Sequence, residues 1–331
     1  MESMLIVYLV MLLVFHVDAQ SQDTTYTGPK TGSFQNCTSS IPPIPTNDLD
    51  PEPDDTGYII ISCNLIKYRV PNSSLENLKG EIILIGVLSA AAMKERRTWI
   101  RSTWAYNKRN VFFIVAGNFD SIADEYKEYQ DLIWIEKEEV YVTETSTLTF
   151  KTEAFLSIMY EKVMAVEGSK VKYLFKTDDD SYCDYNELHR AFNEELNGVD
   201  YWGKCATGRK PNRNQDIPWQ RKWFISHETY PEPEYPTYCA GAGYALSRKF
   251  LDCAIGEGHV AHIRYQPNED VAVGSLAERC KVNALDDDRV SIRWEGRPTM
   301  KNKIIQHYIK DENAMREHHR LITGVYGPKL L

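Results

Sequence analysis

Residues 172–185 read KYLFKTDDDSYCDY, and the reading of this stretch decides the fold. The run Tyr173-Leu174-Phe175 has the character of a strand, and it stops abruptly at Asp178-Asp179-Asp180. Adjacent carboxylates repel, and burying them unpaired is costly. The triplet therefore lies in a solvated loop or has something positive against it. In α/β sheets, ligands bind beyond the carboxyl ends of the strands, which is where this triplet stands. Asp178 and Asp180, two apart, can reach toward one ion, and hard carboxylate oxygens suit Mg²⁺ or Mn²⁺. An exposed acidic loop is the plainer alternative.

The neighbouring segments give the triplet a context. EIILIGVLSA (81–90), VFFIVAG (111–117) and LIWI (132–135) read as buried strands, apolar on both faces. KERRTWIRSTWA (94–105), LTFKTEAFLSIMYEKVMAVEG (148–168) and YNELHRAFNEELNG (185–198) carry helical spacing, the last two stopping at glycine. Strands alternating with helices predict an α/β domain with a mostly parallel, Rossmann-like sheet flanked by helices. Its expected span is 80–331. Residues 20–56 are rich in Ser, Thr, Pro, Asp and Gly, and 20–79 read as a largely flexible stem, with 58–70 apolar enough for a strand or docking segment.

Four further stretches carry chemistry. Arg96, Arg97 and Arg101 supply guanidinium groups suited to phosphate, with Arg97 and Arg101 on one helical face; a solvated basic face is the bland reading. YPTYCAGAGYALS (235–247) sets Tyr235, Tyr238 and Tyr244 around Gly241 and Gly243, which suits a sugar or a base but equally a packed core turn. Glu269-Asp270 opens a helix in PNEDVAVG, where a carboxylate serves as a general base or complements the helix dipole. His307 follows a short apolar run and is either a structural histidine or a third ligand to a carboxylate metal site. His318-His319 is the competing pair.

Taken together, RRTWIRSTW, LTFKT, KTDDDSY, GRKPNR, KWFISHETYPEPEYPTYCAGAGYALS and EDVAVG, in this order, resemble the β-1,3-galactosyltransferase family, which includes β-1,3-N-acetylglucosaminyltransferases and Fringe proteins. The resemblance covers roughly 80–310. It implies a GT-A fold, a UDP-sugar donor, Mn²⁺, a glycan or glycoprotein acceptor and inversion at the anomeric carbon. By resemblance Asp180 and His307 hold the metal, and Asp270 is the base. Asp178, Asp179, Arg97, Arg101 and Lys151 lie on the donor side; Gly241, Gly243, Tyr244 and Glu269 lie on the acceptor side. Galactose is the expected sugar; N-acetylglucosamine transfer and a catalytically silent sugar-binding relative are the alternatives. The chain departs from the family where Thr145 and Thr147 stand in place of Tyr and Asn.

The remaining features concern compartment. The chain has 331 residues and a net charge of −9 without a long basic block, which argues against nucleic acid as the main partner. Met4 to Phe15 is a continuous apolar run, short against the roughly 20 residues of a membrane span. It reads as a secretory signal cleaved after Ala19, or a short signal-anchor over 4–17. Either places the rest in the secretory lumen, with the Golgi implied by the resemblance. Seven cysteines fit an oxidising compartment, and no CxxC pair points to structural zinc. The odd count leaves one thiol free or intermolecular. Asn36 and Asn72 head N-glycosylation triplets.

Overall fold

Three hexapeptide or shorter runs with every side chain buried form the centre of the molecule: β3 (Ile83–Leu88), β4 (Val111–Ala116) and β5 (Leu132–Ile135). Such runs are stable only when both faces are covered. With β6 (Tyr173–Asp178) they make a parallel core in the order β5-β4-β3-β6. The computed structural model describes residues 37, 55–141, 143–216, 221–293, 302–325 and 327. The apolar run 4–15, the anchor span 4–17, the cleavage point after Ala19 and Asn36 lie outside the described residues.

Antiparallel strands flank the parallel core, so the sheet is mixed. On one side, β1 (Thr56–Ile61) and β2 (Asn64–Arg69) form a hairpin, and β2 pairs with β5. This corrects the expected boundary at residue 80: part of the supposed stem belongs to the sheet. Ile59, Ile61, Ile66, Tyr68 and Val70 are buried in the core, and the hairpin covers what would otherwise be the open edge of β5. On the other side stand β9 (Tyr238–Ser247), β8 (Tyr201–Ala206) and β10 (Ala284–Asp286). The glycine-bearing stretch expected as a loop or core turn is therefore mostly strand, with Lys176 opposite Tyr244 and Thr177 opposite Gly243.

Helices cover both faces. One face packs on α3 (Leu148–Met159) and α5 (Glu269–Arg279) through Phe155, Val273 and Leu276. The other packs on α1 (Lys94–Arg101), α2 (Ala123–Tyr129), α4 (Tyr185–Asn193) and α6 (Glu312–Thr323) through Ile100, Tyr126, Phe192 and Met315. The helix expected to run to Gly168 changes to a π-helical turn over Tyr160–Met164, and Gly168 turns the chain at φ +77°.

A second, small sheet determines the site. β7 (Tyr182–Cys183), just past the aspartates, pairs antiparallel with β12 (Ile305–Gln306), which pairs in turn with β11 (Val290–Ser291). Disulfides join Cys37–Cys63, Cys205–Cys239 and Cys253–Cys280, leaving Cys183 as a buried free thiol. Asn72 is exposed.

Candidate active site

The three aspartates do not act together. β6 alternates its side chains, so Lys176 and Asp178 share one face. Asp179 takes the other, where its carboxylate accepts hydrogen bonds from Arg96 at 2.7 Å and the Ser89 hydroxyl at 2.8 Å. Asp178 and Asp180 instead converge on His307. Its Nε2 lies 3.1 Å from Asp180 Oδ1 and 3.6 Å from Asp178 Oδ2. The register of β12 on β7 sets Gln306 opposite Tyr182, so the next residue reaches the aspartate turn. The Ile309 amide closes it by bonding the Asp180 carbonyl at 2.7 Å.

These three side chains each offer a ligand atom within 4.8 Å of the other two. Burial works to raise the Asp178 carboxyl, but Lys176 and His307 outweigh it and bring it down to about 2. Burial works to lower His307, but the two carboxylates outweigh it and push the imidazole up to about 10. A field that holds a proton this firmly also favours a divalent cation in its place. Two carboxylate oxygens and one imidazole nitrogen fit Mn²⁺ better than Mg²⁺, which prefers an all-oxygen shell. Asp178, expected on the donor side, thus joins Asp180 and His307 in the candidate metal set.

Asp270 stands at the start of α5 and is half-buried. Burial, then the neighbouring Glu269 charge, raise its carboxyl to about 7; Lys176 and the Val271 and Gly241 amides pull the other way. A carboxylate balanced near neutrality is suited to accept a proton. Its sequence neighbour has a different task. Glu269 is buried and receives the Lys176 ammonium at 2.6 Å and the Tyr244 hydroxyl at 2.6 Å.

Several expected ligand residues are occupied elsewhere. Arg97 is fully buried and bonds Glu125 through two nitrogens, at 2.8 and 2.7 Å, and the Ser89 hydroxyl at 2.9 Å. Arg101 bonds Glu125 at 2.8 Å and Asp131 at 2.8 and 2.7 Å. Lys151 bonds Glu139 at 2.7 Å and the Ser89 carbonyl at 3.0 Å. A buried charge has to be paired, and here the chain's own acids and carbonyls do so. Arg97 therefore supports the aspartate turn indirectly, through Ser89 and Asp179. Tyr244 is buried and cannot form an exposed wall. A Cβ on Gly243 would sit 3.0 Å from Phe175 and 3.2 Å from Ile305, so that glycine serves packing.

A family model described as galactosyltransferase matches residues 95–288, more than half of the chain, from α1 through β10. The chain belongs to the galactosyltransferase family. Beta-1,3-galactosyltransferase GALT1 of Arabidopsis thaliana is 27% identical over 214 residues, covering 61% of this chain and 31% of that protein. Beta-1,3-galactosyltransferase 2 of Mus musculus is 28% identical over 172 residues, covering 50% of this chain and 36% of that protein. Beta-1,3-galactosyltransferase 1 of Mus musculus is 26% identical over 224 residues, covering 66% and 65%. The match thus spans about a third of the length of the first two of these relatives.

Within this galactosyltransferase-family chain, the matched segment contains the aspartates and Asp270, while His307 lies beyond it. The segment with Thr145 and Thr147 has its own architecture. Thr147 donates to the Glu138 carbonyl at 2.6 Å and accepts from the Val140 amide at 3.0 Å. Glu144 accepts from the Ser226 amide and the Thr229 hydroxyl, both at 2.7 Å. Ile225, Tyr230 and Tyr235 from that second segment pack on Val271, next to Asp270. Glu144 and, more importantly, Lys176 carry roles that local pattern does not single out. The available signal for Lys176 was a lone lysine inside an apolar strand, two residues before Asp178 and so on its face.

Proposed function

We propose that this chain is an inverting β-1,3-hexosyltransferase that moves galactose from a UDP-sugar to a glycan hydroxyl. The observation that carries this reading is the pairing of a two-carboxylate, one-imidazole cluster at the end of β6 with a separate acid, Asp270, at the start of α5. Family membership supports a sugar nucleotide as donor.

Asp178, Asp180 and His307 would hold Mn²⁺. Bound there, the ion supplies Lewis-acid stabilisation of the negative charge on the departing diphosphate. The chain's residues do the rest. Asp179, held by Arg96 and Ser89, fixes the turn that presents the flanking carboxylates. Asp270 takes the proton of the acceptor hydroxyl as its oxygen bonds to the anomeric carbon. The bond to UDP breaks with its electron pair leaving on the phosphate oxygen, so a single displacement inverts the centre and needs no covalent enzyme intermediate.

Three disulfides support the secretory lumen as the working compartment. The deciding experiment is a screen of UDP-sugars with purified protein and glycan acceptors, with Mn²⁺ and with EDTA, followed by linkage analysis. A β-1,3-linked galactoside formed only with the cation is the expected product. Turnover of UDP-N-acetylglucosamine instead reassigns the donor, and acceptor binding without any turnover removes the transferase reading.

A further inference from the structure

Between the metal set and the acceptor base lies a buried ammonium. The Lys176 side chain is 1% exposed, and its Nζ lies 2.8 Å from Asp178 Oδ1, 2.6 Å from the Gly241 carbonyl and 2.6 Å from Glu269 Oε1. An ammonium has three N–H donors, and here all three are used, on β6, β9 and α5. The far oxygen of Glu269 takes the Tyr244 hydroxyl, so the acid is held at both ends. The packing leaves no slack. A Cβ at Gly241 would come 2.4 Å from Glu269 Oε1 and 3.1 Å from Lys176 Nζ, so a side chain there would displace the pair.

From this geometry we propose that Lys176 is a positioning residue: it sets the distance between Asp178 in the metal set and the Glu269-Asp270 start of α5, so that the donor diphosphate and the acceptor base are held in register by one cation. The inference rests on the proposed transferase reading. Stability alone does not account for the arrangement, because well-packed apolar residues usually do as well as a buried ion pair. What apolar residues lack is direction. A lysine ammonium, with three N–H donors, reaches from the core to the half-buried Asp178 while holding the Glu269 carboxylate behind it. Groups that orient metal ligands from behind typically change metal affinity by about 10–100-fold when removed.

The test is a charge-balanced double substitution, Lys176→Met with Glu269→Gln, which removes one cation and one anion together and keeps the Tyr244 contact. Mn²⁺ affinity is measured by calorimetry, folding by thermal melting, and transfer from UDP-galactose by steady-state kinetics with water and with acceptor. The expected variant melts cooperatively, binds Mn²⁺ about 10–100-fold more weakly, and loses more rate toward the acceptor than toward water. Wild-type Mn²⁺ affinity together with the wild-type ratio of transfer to hydrolysis overturns the proposal. Should the double variant fail to fold, Glu269→Gln alone decides. Asp178 keeps its lysine there, so Mn²⁺ affinity is expected to stay within a few-fold while acceptor kcat falls by about tenfold; unchanged kcat overturns the idea. If the wild-type chain binds Mn²⁺ but transfers no sugar, the functional reading fails separately, and the Mn²⁺ comparison alone supports or overturns the role of Lys176.

Discussion

The imidazole of His307 stands 3.1 Å from the carboxylate of Asp180 because a two-residue strand, β12, pairs with β7 in one register. A slip of one residue would turn the histidine to the opposite face of that small sheet. The candidate metal set therefore depends on a short piece of antiparallel pairing as much as on the aspartates themselves.

Asp180→Ala is expected to abolish metal-dependent UDP-sugar binding, and His307→Ala to weaken it strongly. Both remove a side chain of the candidate metal set without touching the parallel core. Calorimetric titration with Mn²⁺ and UDP checks this; unchanged affinity in both variants would disprove the metal set.

Asp270→Asn should retain donor binding and lower transfer by about two to four orders of magnitude, the usual share of a general base. The pH dependence follows from the same carboxyl. As the proposed base it would work ionised, and burial with the Glu269 charge raises the carboxyl to about 7. Activity should therefore fall as pH drops below about 7, by close to tenfold per unit once the acid form dominates. A flat kcat/KM profile from about pH 5 to about pH 8 would reject Asp270 as the base.

Glu144→Ala should raise the acceptor KM by about tenfold and leave the donor KM unchanged, since two hydrogen bonds to a charged group are lost. The Ser226 and Thr229 hydrogen bonds hold the Glu144 carboxyl below its ordinary range, which marks the clasp as favourable to the ionised form. Equal shifts in the KM of both substrates would contradict a role confined to the segment packed beside Asp270.

Glu153→Leu should stabilise the protein, increasingly so at higher pH. Glu153 is fully buried in α3, and neither carboxylate oxygen has a hydrogen-bond partner among the described residues. Burial raises its carboxyl well above 4.5, against a smaller opposing pull from the nearby Ser62 hydroxyl. For a raised carboxyl the favourable contribution is complete below the unfolded value and is lost as pH rises toward the folded one. The cost reaches about 1.4 kcal/mol per pH unit in that window. Thermal melts of both proteins at about pH 5 and about pH 8 test it; a gap that does not widen with pH would refute the assignment.

Much of this was legible in the chain because it depends on local pattern. Runs such as VFFIVAG announce buried strands, and KTDDD placed acids at a strand end. The basic residues misled for a physical reason. Arg97 and Arg101 share a helical face as expected, but that face is turned inward, where Glu125 and Asp131 neutralise it. Spacing fixes which side chains lie together on a helix and says nothing of what the helix is packed against. The Tyr-Gly stretch misled similarly: glycines permit a turn, yet in β9 they make room for Glu269, Lys176, Phe175 and Ile305.

The amino-acid sequence by itself determined the α/β class, the succession of central strands and helices, and the acids at the end of β6, since each follows from hydrophobic periodicity and residue type over a few positions. Only the tertiary structure decided which of those acids face one another, which cations are already neutralised, and that Lys176 ties β6 to α5. Those outcomes rest on pairings between residues far apart in the chain, where the need to match every buried charge selects among arrangements that local pattern leaves equivalent.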